Sequence, residues 1–386
     1  MQAFRTVQSC SPDAREAVRE IHEGFAGTDL ALLLFFCSSA YDLDTLAAEI
    51  NQRFKGISVL GGTSAGSLGP LAYGQTQSLV GIGFPVQTCK VASAHMEGLQ
   101  DFSTAQAQQM VNSLRQQLEK QVAPVNVSNT FAFQLIDGLS VREEVVTRLI
   151  QGALGPIPLV GGSVGDNLHF ERAMVFVEGA FCRDTVAVLA VATALPFEIF
   201  MTQHFIPGEE RLVVTEADEK HRIVREFNGL PAVEEYARCV GVSAGDVCAS
   251  LFADRPVVVN IGNNHYVRSI QRVLPDKSLK FFCAIEEGVV LRVAHGADMV
   301  ENLTQCFGQI RERIGAPLLI LGCECVLRRL EVERHPFADV IQKLYRDNSV
   351  AGLCTFGEQY RGVHINQTLT GVAIGSLAEK VCDRTA

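Results

Sequence analysis

The sequence lacks the features that define several large classes of protein. None of its apolar runs approaches the roughly 20 residues that cross a bilayer, and its first residues do not follow the basic-then-apolar pattern of a signal peptide. Clusters of Lys and Arg are missing as well, and the formal net charge is -10, which argues against a general nucleic-acid binder. We therefore expect a cytoplasmic protein that binds neither membranes nor nucleic acids.

The spacings of zinc sites are also missing. The nine His residues show neither H-x-x-x-H nor H-E-x-x-H, which disfavours a hydrolytic zinc. Among the twelve Cys residues, Cys323 and Cys325 form a C-x-C pair, which can bind metal, but the second pair of a zinc site is not there. We interpret both as ordinary reduced thiols that serve as small hydrophobic side chains.

Two glycine-rich segments are the main feature that the sequence does contain. They are LGGTSAGSLGP at 60–70 and LVGGSVGDNLHF at 159–170, and both resemble the end of a strand at a sharp turn packed against close neighbours. Each is preceded by an apolar strand and an amphipathic helix, and each is followed by two more apolar runs. These matching surroundings predict an internal duplication.

The predicted architecture is α/β in two domains. The N-terminal α/β domain has mixed sheets, spans 29–212, and contains two repeats at about 29–98 and 129–205. A capping box at Ser140–Glu143 is expected to open a helix of the second repeat. The C-terminal α/β domain spans 213–380, and its alternating strands predict antiparallel hairpins.

The glycine-rich segments do not predict an enzyme. GGTSAGSLG lacks the Lys-Ser/Thr end of a P-loop, and GGSVGD is not G-x-G-x-x-G. Gly62–Gly66 formally fits G-x-S-x-G, but a loop follows where a hydrolase elbow needs a helix. We expect no catalytic residues.

Two groups of residues are candidates for ligand binding. His204 lies in FMTQHFIP, and one His among large apolar side chains suffices to hold a haem, although a His at a strand end can equally be satisfied by backbone groups. Glu358, Asn366 and Thr368 bring a carboxylate, an amide and a hydroxyl close to strand ends. They could converge on a small polar ligand or satisfy one another in a buried turn.

Several segments together resemble a known family. The two Gly-Gly segments, VVT followed by NGLPAVEEY, and the ending CTFGEQYRGVHINQTLTGVAIG resemble the FIST N and FIST C domain pair of bacterial signal-transduction proteins, over about 29–375. This resemblance implies a sensor of small ligands that works with histidine kinases, cyclic-di-GMP enzymes or chemotaxis components.

One departure from the family pattern points to a subgroup. Where FIST sequences carry a string like Q-G-W-x-P, this chain has Gln203–Pro207, QHFIP, with a His beside the aromatic residue. The resemblance to the nitric-oxide-sensing NosP subgroup then implies haem b, with His204 as the proximal iron ligand and His95 as the alternative. It also implies nitric oxide and a partner histidine kinase as partners in two-component or cyclic-di-GMP signalling.

A second hypothesis remains open beside the haem sensor. In it, a FIST module without haem binds an amino acid or other small metabolite through Glu358, Asn366 and Thr368. The oligomeric state is also left open, and a homodimer is compatible with either hypothesis.

Overall fold

A computed structural model describes residues 4–71, 73–261 and 264–376. The predicted mixed α/β class is confirmed. The described strands form three six-stranded sheets that surround a shared core, and a fourth, eight-stranded sheet belongs to a subdomain inserted into the third of three structural repeats.

The first repeat contains an edge strand, a helix, a strand, a second helix, a strand, a short hairpin and a final strand. Its elements are β1 Arg5–Ser9, α1 Ala14–Gly24, β2 Leu30–Ser38, α2 Leu43–Arg53, β3 Ser58–Ser64, β4 Ser67–Leu68, β5 Tyr73–Gln75 and β6 Leu79–Pro85.

The second repeat has the same order of elements, so the predicted internal repetition is present in the fold. Its elements are β7 Cys89–Glu97, α3 Thr104–Glu119, β8 Thr130–Asp137, α4 Glu143–Leu154, β9 Leu159–Val164, β10 Val175–Val177, β11 Ala180–Cys182 and β12 Thr185–Thr193. The capping box predicted at Ser140 is wrong, because Arg142 is the N-cap of α4 and the hydroxyl of Ser140 accepts from the backbone N of Arg142.

The third repeat starts with an edge strand and is then interrupted by the inserted subdomain. The subdomain's sheet is antiparallel, as predicted for this region, and its core is separate from the shared core. The elements are β13 Phe197–Thr202, β14 Phe205–Asp218, β15 Ile223–Phe227, β16 Leu230–Pro231, α5 Ala232–Val240, α6 Ala249–Asp254, β17 Val257–Ile261, β18 Asn264–Arg268, β19 Ile270–Val273, β20 Leu279–Phe281 and β21 Val290–Gly296.

After the insertion, the third repeat resumes the common order with one helix more. This continuation was not predicted from the sequence. Its elements are α7 Met299–Ile314, β22 Pro317–Cys325, α8 Val326–Arg334, α9 Ala338–Asp347, β23 Val350–Thr355, β24 Glu358–Tyr360, β25 Val363–Ile365 and β26 Leu369–Gly375.

Each repeat donates its hairpin to the sheet of another repeat, in a cyclic arrangement. The sheet orders are β1-β6-β2-β3-β10-β11, β7-β12-β8-β9-β24-β25 and β13-β26-β22-β23-β4-β5. Equivalent residues Thr63, Ser163 and Cys354 each use both backbone groups to bond the neighbouring repeat. The three repeats therefore fold as one pseudo-threefold unit whose apolar faces meet in the shared core.

The Gly-Gly pairs lie within strands β3 and β9, so the predicted turns at these positions are wrong. The predicted close packing is present. A Cβ atom on Gly161 would lie 2.2 Å from the backbone oxygen of Gln134, and one on Gly61 would lie 2.5 Å from that of Phe35. Glycine is needed because the neighbouring parallel strand approaches too closely for a side chain.

Strands from both sides of position 212 share the third sheet, where β13 pairs with β26 and β4 pairs with β23. The domain boundary predicted at 212/213 stays a prediction, and positions 377–380 of the second predicted domain lie outside the described residues. Within the described part of the chain, no helix has both the length and the apolar character needed to cross a membrane.

Candidate functional site

Two short connections join the inserted subdomain to the third repeat, and they lie side by side. One runs from β13 to β14 through residues 202–205, and the other runs from β21 to α7 through 296–298. The backbone N of Ala297 donates to the backbone O of His204 at 2.8 Å, and Phe205 pairs with Gly296. We call these two connections the neck.

The neck is also held by a side chain of α7. The hydroxyl of Thr202 donates to Asn302 Oδ1 at 2.6 Å, and Asn302 Nδ2 donates to the backbone O of Gln203 at 3.2 Å. The backbone of the first connection is therefore positioned by the third repeat before the chain enters the inserted subdomain.

His204 is buried in the neck, and both of its ring nitrogens have partners. Nδ1 lies 3.1 Å from Nη1 of Arg328, and Nε2 lies 2.8 Å from Oε1 of Glu331. Because a guanidinium can only donate, Nδ1 must be the acceptor and the ring proton is assigned to Nε2. Burial lowers the pKa of His204, although the hydrogen bond to Glu331 acts in the opposite direction, so the ring is neutral.

Arg328 connects His204 to a second carboxylate in the interior. Its side chain is 0% exposed, and its Nε donates to Oε1 of Glu324, which also accepts from the hydroxyl of Tyr345 at 2.7 Å. With one guanidinium, two carboxylates and a neutral His204, this neck cluster of His204, Glu324, Arg328, Glu331 and Tyr345 has a formal charge of -1. Among the described residues, three buried atoms of this cluster have no hydrogen-bond partner, namely Oε2 of Glu324, Nη2 of Arg328 and Oε2 of Glu331.

A groove of about 820 Å³ opens beside the neck cluster. Glu331 forms part of its wall, so one side chain contacts both the groove and His204. The neck residues Gly296 and Asp298 form another part of the wall. Polar and apolar groups therefore meet at a concave surface of the size that ligand sites usually have.

The geometry around His204 does not fit a proximal haem ligand. An axial imidazole needs a nitrogen lone pair directed at the iron, whereas Arg328 occupies Nδ1 and the Nε2 proton is directed at Glu331. Iron could bind His204 only after one of these contacts had broken. The alternative ligand, His95, is half-buried on the edge strand β7 opposite Ala187, and its role stays a prediction.

The structure brings together two of the three residues predicted for metabolite binding. Oε1 of Glu358 is hydrogen-bonded to the hydroxyl of Thr355 at 2.5 Å, and Oε2 accepts from the backbone N and the hydroxyl of Thr368 at 3.1 and 2.8 Å. Asn366 instead bonds the backbone of Phe356 and of Ser269. Burial raises the pKa of Glu358 to about 8, which keeps this Glu358 cluster of Thr355, Glu358 and Thr368 mainly uncharged at neutral pH.

The surroundings of the Glu358 cluster are tightly packed. A Cβ atom on the adjacent Gly357 would lie 2.2 Å from Cε1 of His364. His364 is itself fully buried, and burial lowers its pKa. A ligand at this place would have to displace protein groups that now contact one another.

Sequence reasoning missed Glu324, Arg328 and Glu331. Glu324 lies between Cys323 and Cys325, and both of these thiols are buried and free. The available signal was the spacing of Arg328 and Glu331, which lie three positions apart on α8 and are neighbours on its surface. Glu324 gave no such signal, because it lies on β22, before the helix begins.

Within the described residues, no group of three or more His, Cys, Asp and Glu side chains could hold a metal ion.

The comparisons with known proteins agree with the resemblance seen in the sequence. No curated protein matches this chain. The model of the FIST N domain matches residues 31–230, and the model of the FIST C domain matches residues 232–361. The chain therefore belongs to the FIST family and is a sensory module of signal transduction.

Proposed function

We propose that this protein senses a small ligand in the groove beside the neck, and that the response is a shift of the inserted subdomain which a separate histidine kinase detects. One observation supports this most directly. Glu331 contacts the groove on one side and His204 on the other, and the backbone of His204 bonds the second connection of the neck.

A ligand at Glu331 changes the hydrogen bond that this carboxylate makes with His204. Because His204 belongs to one connection and bonds the other, the change reaches both points at which the subdomain joins the third repeat. A ligand shifts such an equilibrium only by its difference in affinity for the two arrangements. Coupling of this kind is typically about 1–3 kcal/mol, which changes affinity or population about 5–150-fold.

The far side of the subdomain is attached to the second repeat. Arg222 is buried and pairs with Glu143 and Glu144 at the start of α4, both at 2.6 Å. The backbone N of Ala284 also donates to Glu144. These contacts are a second point of attachment for the subdomain. A change at the neck therefore rotates the subdomain about α4, while its contacts with α4 are kept.

A separate histidine kinase is the proposed receiver, as the resemblance to the family implies. The test is the rate of kinase autophosphorylation, measured for a kinase encoded beside this gene with wild-type protein, with Glu331→Gln and with Glu333→Gln. Glu333 is on the same helix but is half exposed and pairs with Arg329. We expect Glu331→Gln to change the regulation and Glu333→Gln to behave as wild type. Equal rates with all three proteins would contradict the proposal.

Haem b with nitric oxide is the specific input that the sequence predicts, and it is tested separately. A Soret band in the isolated or hemin-treated protein, a shift of that band with a nitric oxide donor, and its loss in His204→Ala would support haem sensing at His204. Protein that stays colourless after hemin treatment would exclude it. The sensory role of the neck would survive that result, because it depends on Glu331 and the groove.

A further inference from the structure

We infer that β7 is the docking edge for a second copy of this chain, and that two β7 strands pair antiparallel about a twofold axis. This inference goes beyond the proposed function and does not depend on the groove. It is carried by the unpaired backbone groups of β7, by the lack of the usual protection of an edge strand, and by the way the sequence of β7 complements itself.

β7 is an edge strand of the second six-stranded sheet, and the direction of its backbone groups follows from its ladder with β12. The backbone N of Gly98 donates to the backbone O of Asp184 at 3.0 Å, in register with this ladder. Opposite residues of an antiparallel pair alternate between those that exchange both hydrogen bonds and those that exchange none. The even-numbered residues from 90 to 96 therefore bond β12, and the odd-numbered residues from 91 to 97 direct their N–H and C=O groups away from the sheet.

Three of these outward-directed residues have unpaired backbone groups. Nε2 of Gln121 donates to the backbone O of Val91 at 2.8 Å, which agrees with the outward direction of this group. Within the described part of the chain, no hydrogen bond uses the outward backbone groups of Ser93, His95 or Glu97. Ser93 and Glu97 are exposed, and His95 is half-buried. Free ladder groups of this kind are a template for another strand.

β7 also lacks the features that usually protect an edge strand. Its nine residues pair with β12 without a register shift and contain no proline, and no Asp, Glu, Lys or Arg lies between Lys90 and Glu97. The equivalent edge strands are shorter, with five residues in β1 and six in β13, and the other edge of the same sheet, β25, has three. Soluble proteins normally block a long edge with bulges, prolines or charges, so an unprotected edge of this length is expected to be paired in the assembled protein.

The free groups fix the register of two paired β7 strands. With His95 on the twofold axis, the two His95 residues lie opposite each other, and Ser93 of each copy lies opposite Glu97 of the other. Each of these opposite pairs exchanges two backbone hydrogen bonds, so every free group is used. A register centred on Ser93 would instead need the C=O of Val91, which is already occupied.

The side chains of β7 complement one another in this register. On one face, the carboxylate of Glu97 lies opposite the hydroxyl of Ser93 and diagonal to the imidazole of His95, and both of these groups can donate a hydrogen bond. On the other face, Met96 lies opposite Ala94, so a large side chain meets a small one. Cross-strand pairs of these kinds stabilise antiparallel sheets. This self-complementarity favours a second copy over an unrelated strand.

The first experiment measures the dimer dissociation constant of the full chain by sedimentation equilibrium. Ser93→Pro removes the outward N–H but no bond to β12, and proline is tolerated at such positions of edge strands. The control Ser93→Ala keeps the N–H, and circular dichroism verifies that each variant is folded. We expect wild type and Ser93→Ala to dimerise, and Ser93→Pro to raise the dissociation constant about tenfold or more, because each copy loses a hydrogen bond. A monomeric wild type, or the same dissociation constant for Ser93→Pro, would overturn the inference.

A second experiment tests the register and applies even if Ser93→Pro does not fold. In the proposed dimer the Cα atoms of the two His95 residues are about 5.5 Å apart, which is within the range of a disulfide. The two Ser93 residues are about 13 Å or more apart, because they lie four positions out of register. Mild oxidation should therefore give a disulfide-linked dimer for His95→Cys, but not for Ser93→Cys or wild type.

Two further results would overturn the inference. One is a His95→Cys variant that does not cross-link, or a Ser93→Cys variant that cross-links as readily. The other is a monomeric wild type whose regulation of the kinase is lost in Ser93→Pro, which would assign the edge to a strand of the kinase instead of a second copy. Neither result would affect the proposed role of the groove and the neck, which is tested by Glu331→Gln.

Discussion

Two buried carboxylates of this protein differ both in their hydrogen-bond partners and in their surroundings. Glu358 has both oxygens bonded to threonines and the adjacent backbone, is 0% exposed, and is mainly protonated at neutral pH because burial raises its pKa to about 8. Glu331 has one oxygen bonded to His204, while the other has no partner among the described residues, and its side chain borders the groove. Both oxygens of Glu358 are therefore paired, whereas only one oxygen of Glu331 is.

This difference separates structural polar groups from candidate binding groups. A buried polar cluster that satisfies itself fixes the packing of the elements that supply it. A cluster with unpaired atoms, such as the neck cluster at Glu324, Arg328 and Glu331, is not completed by its own side chains. From the sequence, Glu358 was a candidate ligand-binding residue and Glu331 was not, so burial and pairing, rather than residue type, distinguish the two sites.

Removal of the buried guanidinium should have the largest effect on stability. Arg328→Leu leaves Glu324 and His204 without their cationic partner, and breaking a buried ion pair in this way costs about 3–5 kcal/mol. The control is Arg225→Leu, which removes a pair with Glu216 that is about half exposed and should cost less than about 1 kcal/mol. Urea unfolding measures both, and similar losses in the two variants would contradict a structural role for the neck cluster.

The protonated state of Glu358 should appear as a pH dependence of stability. Because burial raises its pKa to about 8, the folded protein keeps a proton that the unfolded chain has already lost. Its contribution to folding is therefore complete below the ordinary pKa of a Glu and is lost as the pH rises through about 8.

Glu358→Gln should remove this contribution, so the variant gains stability relative to wild type between about pH 5 and pH 9, by up to a few kcal/mol. Glu312→Gln, at an exposed position of α7, serves as the control. Thermal unfolding at several pH values measures the difference. Parallel curves for wild type and Glu358→Gln would show that Glu358 is ionised in the folded protein.

Two glycine substitutions compare how tightly the protein is packed beside Glu358 and in the neck. They should have the smallest effects on stability. In Gly357→Ala the added Cβ would lie 2.2 Å from Cε1 of His364, so side chains must move at a cost of about 1–3 kcal/mol. In Gly296→Ala it would lie 3.3 Å from Nε2 of His204, which should cost less than about 1 kcal/mol. Denaturant unfolding measures the free energy of unfolding of both variants. A larger loss of stability in Gly296→Ala than in Gly357→Ala would contradict the tighter packing around Glu358.

Local sequence patterns predicted much of the fold but not its third repeat. Helical periodicity and strand-like apolar runs are local, so α1, α2 and α3 and the strands around the Gly-Gly pairs were placed correctly. In the third repeat, Gly352 keeps the position of Gly61 and Gly161, but Leu353 replaces the second Gly and the inserted subdomain separates β13 from α7. The repeat was therefore invisible as a sequence pattern, although its strand pairing is the same.

The sequence by itself determined the α/β class, the repetition of the first two units and the resemblance to the FIST family, because these depend on periodicity, spacing and short motifs. Only the tertiary structure decided which charged residues are buried and which polar atoms lack partners. Arg328 and Glu331 lie in a helix rich in charged residues, where nothing in the local pattern shows that one is fully buried and the other borders a groove. That information depends on how distant segments pack, since the partner of both residues, His204, is more than 120 positions away in the chain.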